Sequence, residues 1–247
     1  MKRYSTFIFI ALVFIAASGL TYFIHYLIFR DVHHIFIYLV GDLAFLPLEV
    51  FLVVIVIERI LARREKQAIR HKLNMVVGAF FSEVGTQLLQ KLLICFTKNS
   101  EIRRQLAIGQ NWTQPDFKKA MAFATTLEDK PHCREIDLEG LRKFLIGKRQ
   151  FLLGLLENPN LLEHERFADL LWAVFHLGEE LETRPSVSNL PETDLDHIAG
   201  DINRLYGRLA VEWVSYVQHL KSDYPYLFSL IVRIHPFQKH PSPVVVE

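Results

Sequence analysis

Two long apolar runs open the chain, and apolar residues at helical spacing fill most of the rest. From Phe7 to Phe29 the sequence runs 23 residues without a formal charge. At about 1.5 Å per residue this covers roughly 35 Å, enough to cross a hydrocarbon core of about 30 Å. Ile35 to Ile57 is equally long and carries only Asp42 and Glu49. The five residues Arg30, Asp31, Val32, His33 and His34 separate the runs, so short a link that the pattern predicts an antiparallel helical hairpin. A cleaved signal peptide is the competing reading, with Met1-Lys2-Arg3 as its basic start and Ala16-Ala17-Ser18 as its cleavage site. The apolar run continues to Ile28, well past where a signal's apolar region stops, which favours the hairpin.

Beyond the hairpin no useful length alternates with a strand period. Residues 58–72 read as a continuation of the second helix, and 74–97 as a strongly apolar helix through Met75, Val76, Phe80, Val84, Leu88, Leu92 and Phe96. Thr113-x-x-Asp116 is a capping-box start for a helix to about Leu127. Asp137 can cap one that stops at Asn158-Pro159, and another holds Phe167, Leu170, Leu171, Val174, Phe175 and Leu181 before Pro185. A long helix is expected from about Asp194 to Lys221, and a short one from Pro225 to before Pro236. The predicted fold class is all-α: an N-terminal transmembrane helical hairpin (1–57), a basic juxtamembrane helix (58–73), a cytoplasmic helical bundle of about six or seven helices (74–237) and a flexible tail (238–247).

Charge gives the hairpin an orientation. Residues 58–72 hold six basic and two acidic side chains, with Arg59, Arg63, Arg64, Lys66, Arg70 and Lys72 following the second run. Lys2 and Arg3 flank the first, whereas the loop has Arg30 alone beside Asp31. The positive-inside rule then puts both termini in the cytoplasm of a cell (inner) membrane protein. The same basic residues suit anionic lipid headgroups, so the lipid bilayer is the first expected partner, with a homo-oligomer or another membrane protein as the second. The whole chain has net charge +1, which gives no reason to expect nucleic acid.

Polar residues inside the hairpin form one candidate site. Asp42 and Glu49 are seven apart and share a helix face; charged groups at such depth usually face protein or a wet cavity. Pro47 between them lacks an N–H, which predicts a kink. Tyr22 and His25 lie about 10 and 6 Å below the outer end of the first helix, and Asp42 about 10 Å below that of the second. The expected cluster is therefore Tyr22, His25 and Asp42, with Pro47 and Glu49 deeper. The small residues Ala16, Ala17, Ser18 and Gly19 sit level with Pro47 and would allow a close helix approach. Interhelical packing is the plain role of these polar groups, and an ion or proton path in an oligomer is the sharper one.

Outside the hairpin, metal-ligand types gather in His176, Glu179, Glu180, Asp194, His197 and Asp201. His176 with Glu180 and His197 with Asp201 are four apart, so each pair shares a helix face. No paired Glu-x-x-His motif accompanies them. Solvent-facing polar side chains and one packed His are therefore expected here, with no metal or cofactor, and His176, Glu180, His197 and Asp201 stand as secondary metal candidates. Phosphate-loop, dinucleotide and nucleophile-elbow motifs are all missing from the sequence, so no catalytic residue is proposed. His132-Cys133 is a minor thiolate candidate, and Cys95 reads as core. Tyr224, Tyr226 and Phe228 are expected to pack the last helix onto the bundle, or else to dock it on a membrane or partner.

The segments Gly-Asp-Leu-Ala-Phe-Leu-Pro-Leu-Glu-Val (41–50) and Tyr-Pro-Tyr-Leu-Phe-Ser-Leu (224–230), with Arg233, Pro236 and Phe237, resemble a group of uncharacterised two-span membrane proteins of bacteria and archaea. The resemblance implies a two-span prokaryotic membrane protein and supplies no activity or site residue. The function expected is thus a membrane-tethered interaction or regulatory module. The alternatives are an oligomeric ion- or proton-conducting protein using Asp42 and Glu49, and a metal-binding helical bundle.

Overall fold

Helix-forming sequence, broken by few glycines and prolines, dominates the computed structural model. It describes residues 2–127, 131–132, 136–159, 161, 164–238 and 240–245, with the side chains of 2–7 and 68–71 left aside. Among these residues every regular element is helical: α1 (Lys2–Phe29), α2 (Val32–Phe80), a π-helical segment (Phe81–Gly85), α3 (Thr86–Leu93), α4 (Asn99–Leu106), α5 (Gln114–Thr125), α6 (Leu138–Leu156), α7 (Glu165–Thr183), α8 (Glu192–Asp223) and α9 (Pro225–Ile234). The chain divides into two units, Met1–Lys66 and Gln67–Glu247.

In the first unit, α1 and α2 meet through a tight link. Arg30 adopts a left-handed conformation (φ 49°) and donates its N–H to the Tyr26 carbonyl at 2.8 Å, closing α1. The Asp31 carboxylate accepts the N–H groups of His33 and His34 at 2.9 and 3.3 Å, which caps α2. Two stretches here, Ile8–Phe29 and the start of α2, are long and apolar enough to cross a membrane, with mean hydropathy 2.1 and 2.4 in their best windows. Their large apolar side chains are exposed almost throughout. A Cβ added at Gly19 would meet nothing within 4 Å, so this glycine is not spent on a close helix approach.

Helix α2 passes through Pro47 and continues unbroken to Phe80, so the apolar helix expected to start near residue 74 begins instead as the end of α2. It ends in the π segment, where the Phe81 carbonyl accepts both the N–H of Thr86 and its hydroxyl, the latter at 2.8 Å. The wider turn lets consecutive aromatics point inward. The Phe80 ring meets Phe167 at 5.5 Å between centroids, while Phe81 sits 5.4 Å from Trp213 and 5.1 Å from Tyr216. These edge and stacked contacts add to the burial of large rings.

Helix α8 is the axis of the second unit and packs against α3, α5, α7 and α9, while α6 lies on α7 and α4 on α5. Its apolar stripe through Ile198, Ile202, Leu205, Leu209, Trp213 and Val217 is fully buried. Local signals set the helix starts. Thr113 donates its hydroxyl to Asp116 at 2.6 Å, and Asp116 also accepts the Thr113 N–H at 2.8 Å. This bonding holds the Asp116 carboxyl below the usual carboxylate range. Asp137 accepts the Gly140 N–H at 2.8 Å at the start of α6. Helix α4 carries five charged or amide groups in eight residues and buries only Ile102 and Leu106, which hid it from the apolar pattern.

The C-terminal residues are tied back. Arg103 donates to the Pro236 and Gln238 carbonyls, and Arg233 to that of Pro243 at 3.3 Å, while the Ser242 N–H reaches the Arg233 carbonyl at 3.2 Å. Phe228 and Phe237 are buried, with the Lys221 ammonium 5.2 Å from the Phe228 ring centroid; Tyr226 points outward and Tyr224 is half-buried. Cys95 is buried, its carbonyl accepting the His132 N–H at 2.7 Å, whereas Cys133 lies outside the described residues.

Two outcomes are expected. A Cβ at Gly85 would lie 2.5 Å from the Phe81 ring and 2.8 Å from that of Phe80, so Gly85→Ala should cost about 1–3 kcal/mol in urea unfolding. His235 is buried, and burial lowers its pKa to about 4. The unfolded chain takes up that proton near pH 6.5, so this contribution to stability is whole above 6.5 and is lost as pH falls toward 4, by up to about 3 kcal/mol. His235→Asn should flatten the acid side of the Tm–pH curve; an unchanged slope would refute the assignment.

Candidate metal centre

The polar residues worth attention lie where α7 and α8 face each other. Helix α8 is buried on so much of its circumference that Asp201 cannot avoid the interior, and its side chain is 2 % exposed. The two histidines close around it. His176 from α7 and His197 from α8 each place Nε2 3.5 Å from Asp201 Oδ2. Glu180, one turn beyond His176, puts Oε1 3.9 Å from His176 Nε2 and Oε2 3.6 Å from His197 Nε2. One ligand atom each from Glu180, His197 and Asp201 lies within 4.8 Å of the others. One imidazole and one carboxylate from each helix thus face each other across the α7–α8 seam.

Arginines steady the carboxylates. Arg184 donates to Glu180 Oε2 at 2.7 Å and forks onto Asp194 at 2.7 and 2.9 Å. That bonding lowers the pKa values of both acids and raises that of the guanidinium. Asp194 therefore has both oxygens engaged and stands back from the cluster. Arg204 donates to Asp201 Oδ1, whereas Asp201 Oδ2 is a buried oxygen with no hydrogen-bond donor. A buried carboxylate oxygen left in this way costs about 1–3 kcal/mol or more, and a cation between the two imidazoles would relieve it.

The spacing suits that cation. Tetrahedral bonds of about 2.0–2.1 Å put neighbouring ligand atoms about 3.4 Å apart, and His197 Nε2 lies 3.6 Å from Glu180 Oε2 and 3.5 Å from Asp201 Oδ2. Both histidines are half exposed (51 %), which leaves a solvent side for entry. Of the acidic run on α7, Glu179 and Glu182 face the other way and pair with Arg149 of α6 at 3.8 and 2.6 Å. Glu180 is turned about 100° from Glu179 around the same helix, toward α8.

In the first unit, Tyr22, His25 and Asp42 line one open groove of about 580 Å³ with Ser18, Thr21, His34 and Tyr38. His25 and His34 stack at 6.0 Å, and His34 meets Tyr38 edge-on at 4.8 Å. No hydrogen bond joins Asp42 to Tyr22 or His25 among the described residues, and Pro47 and Glu49 are not part of this lining. Arg59, Arg63, Arg64, Lys66 and Lys72 are exposed along α2, and the side chain of Arg70 lies outside the described ones.

Glu212 was not singled out by sequence pattern. Its side chain is 2 % exposed on α8, 3.4 Å from Arg166 of α7. The signal available was an acid enclosed by the apolar run Leu-Ala-Val and Trp-Val.

Comparison with known proteins fits this two-part architecture. Residues 2–61 match the N-terminal helical domain of MJ1433, and residues 69–233 match the family described as uncharacterized protein MJ1433, C-terminal helical domain. A relative from Methanocaldococcus jannaschii, described as uncharacterized protein MJ1433, is 46 % identical over 236 residues, covering 96 % of this chain and 94 % of that protein. No solved structure matches the chain. With both domains matched in order along nearly its whole length, the chain belongs to the MJ1433 family.

Proposed function

We propose that this chain is a membrane-anchored metalloprotein. Helices α1 and α2 seat it in the lipid bilayer, and the helical domain, on the cytoplasmic side, holds one divalent first-row metal between α7 and α8. The observation that carries the metal reading is Asp201 Oδ2, buried without a donor and 3.5 Å from two imidazole nitrogens. Two imidazoles with two carboxylates suit Zn²⁺ or Fe²⁺ better than Mg²⁺ or Ca²⁺, which prefer oxygen alone. Bound there, the ion ties α7 to α8 and gives a tethered regulatory module a metal-dependent state. Arg184 and Arg204 act as positioning residues that hold the carboxylates in place. The membrane reading rests on the length, apolarity and exposure of the two N-terminal helices and on the basic residues that follow them.

Full-length protein in mild detergent, stripped with chelator and titrated with Zn²⁺, is expected to take up about one equivalent and gain several degrees of Tm. His197→Ala should weaken uptake at least tenfold without unfolding the chain, because its side chain is half exposed. Wild-type loading below half an equivalent removes the proposal. Cell fractionation checks the anchor separately: the chain should stay with membranes through an alkaline carbonate wash, and a C-terminal reporter should be active only if cytoplasmic. Release by carbonate or an external reporter overturns that part.

A further inference from the structure

A groove of about 440 Å³ opens along the same α7–α8 seam, walled on its other side by α5. Arg166, Arg204 and Arg208 line it, together with Asn203, Asp169 and Glu212. Arg204 and Arg208 are one helical turn apart on α8, and Arg166 approaches from α7. All three guanidinium side chains are exposed toward solvent. Arg208 has no ion pair within 4 Å among the described residues, so its charge is available. Arg204 is bonded to Asp201, and Arg166 Nε lies 3.4 Å from the buried Glu212 Oε1 without the alignment of a hydrogen bond, so both of these charges are partly met. Burial raises the pKa of that carboxyl, favouring its neutral form. Glu212 Oε1 and Asn203 Oδ1 are both buried acceptors without a donor.

This lining has two halves with different needs. The guanidinium forks call for a compact anion with several oxygens, the geometry that arginine matches best. The two orphan oxygens call for a ligand carrying hydrogen-bond donors, since a buried acceptor is stabilised only when it is paired. The volume lies within the range of small-molecule sites. We infer that this groove binds a phosphate ester of a small polyol, the phosphate held by Arg208, Arg166 and Arg204 and the hydroxyls donating to Glu212 and Asn203. Only Arg204 is shared with the metal cluster, so the two sites can be tested apart.

The test uses the full chain in detergent micelles. Calorimetric titration with ribose 5-phosphate, inorganic phosphate and ribose is expected to rank them in that order, with ribose at least tenfold weaker than its phosphate. Raising the salt should weaken the phosphates and leave ribose unchanged. Arg208→Gln should reduce affinity for ribose 5-phosphate at least tenfold while Tm and Zn²⁺ content stay at wild-type values. Glu212→Leu should remove the advantage of ribose 5-phosphate over inorganic phosphate. Phosphatidic acid in mixed micelles separates the sources: tighter binding than ribose 5-phosphate assigns the ester to a lipid headgroup, and weaker binding to a soluble molecule. No binding of either ester at millimolar concentration, or equal affinity in Arg208→Gln, overturns the inference. Phosphate binding in a chain that loads no Zn²⁺ would sustain the groove and end only the metal reading.

Discussion

Burying an acidic group forces the interior to supply a compensating charge or donor, and on this domain the burden falls on one seam. Helix α8 is so enclosed that two of its carboxylates, Asp201 and Glu212, are almost wholly out of water. Both turn toward α7. Each would destabilise the fold if left alone, and each is met by only part of what it needs: Asp201 by Arg204 on one oxygen, Glu212 by an ill-aligned Arg166. The remaining deficit faces two imidazoles at one end of the seam and an arginine-lined opening at the other. Chemistry and packing along this seam therefore share one cause, the depth of α8 in the core.

The two ends of that seam differ in what they can accept. At the His176–His197 end the unmet oxygen lies between two imidazole nitrogens, an arrangement that suits a cation. At the Glu212 end the unmet oxygens lie beneath exposed guanidinium groups, which favours an anion carrying donors of its own. Arg204 stands between them, fixing Asp201 while presenting its outer face to the groove.

Much of the fold could be read locally. The two apolar runs, the Thr113–Asp116 box, the Asp137 cap and Pro225 each act within a few residues, and the helices start where those groups place them. What escaped depended on distance or on small angles. The continuation of α2 to Phe80 carries no punctuation to find. Helix α4 shows too little apolar surface to stand out. The histidine–carboxylate cluster joins residues of α7 and α8 that are 17 to 25 positions apart in sequence, and only the approach of the two helices brings His176 to Asp201. The helical pairs His176–Glu180 and His197–Asp201 were visible, but their facing was not. In the hairpin the depth argument brought Tyr22, His25 and Asp42 around one groove, while His34 went unnoticed because it was read as loop.

The π segment leaves a lasting mark on everything downstream. Such a segment amounts to one extra residue threaded into a helix, and each residue advances an α-helix by about 100°. Residues after Gly85 are thereby turned relative to those before Phe81, and that turn sets which face of α3 carries the buried leucines. Homologues with a regular helix at this point would need a compensating gap of one residue, or a shifted leucine pattern, to keep the same partners. Chain length between Phe80 and Thr86 is for this reason a register mark by which members of the family can be aligned.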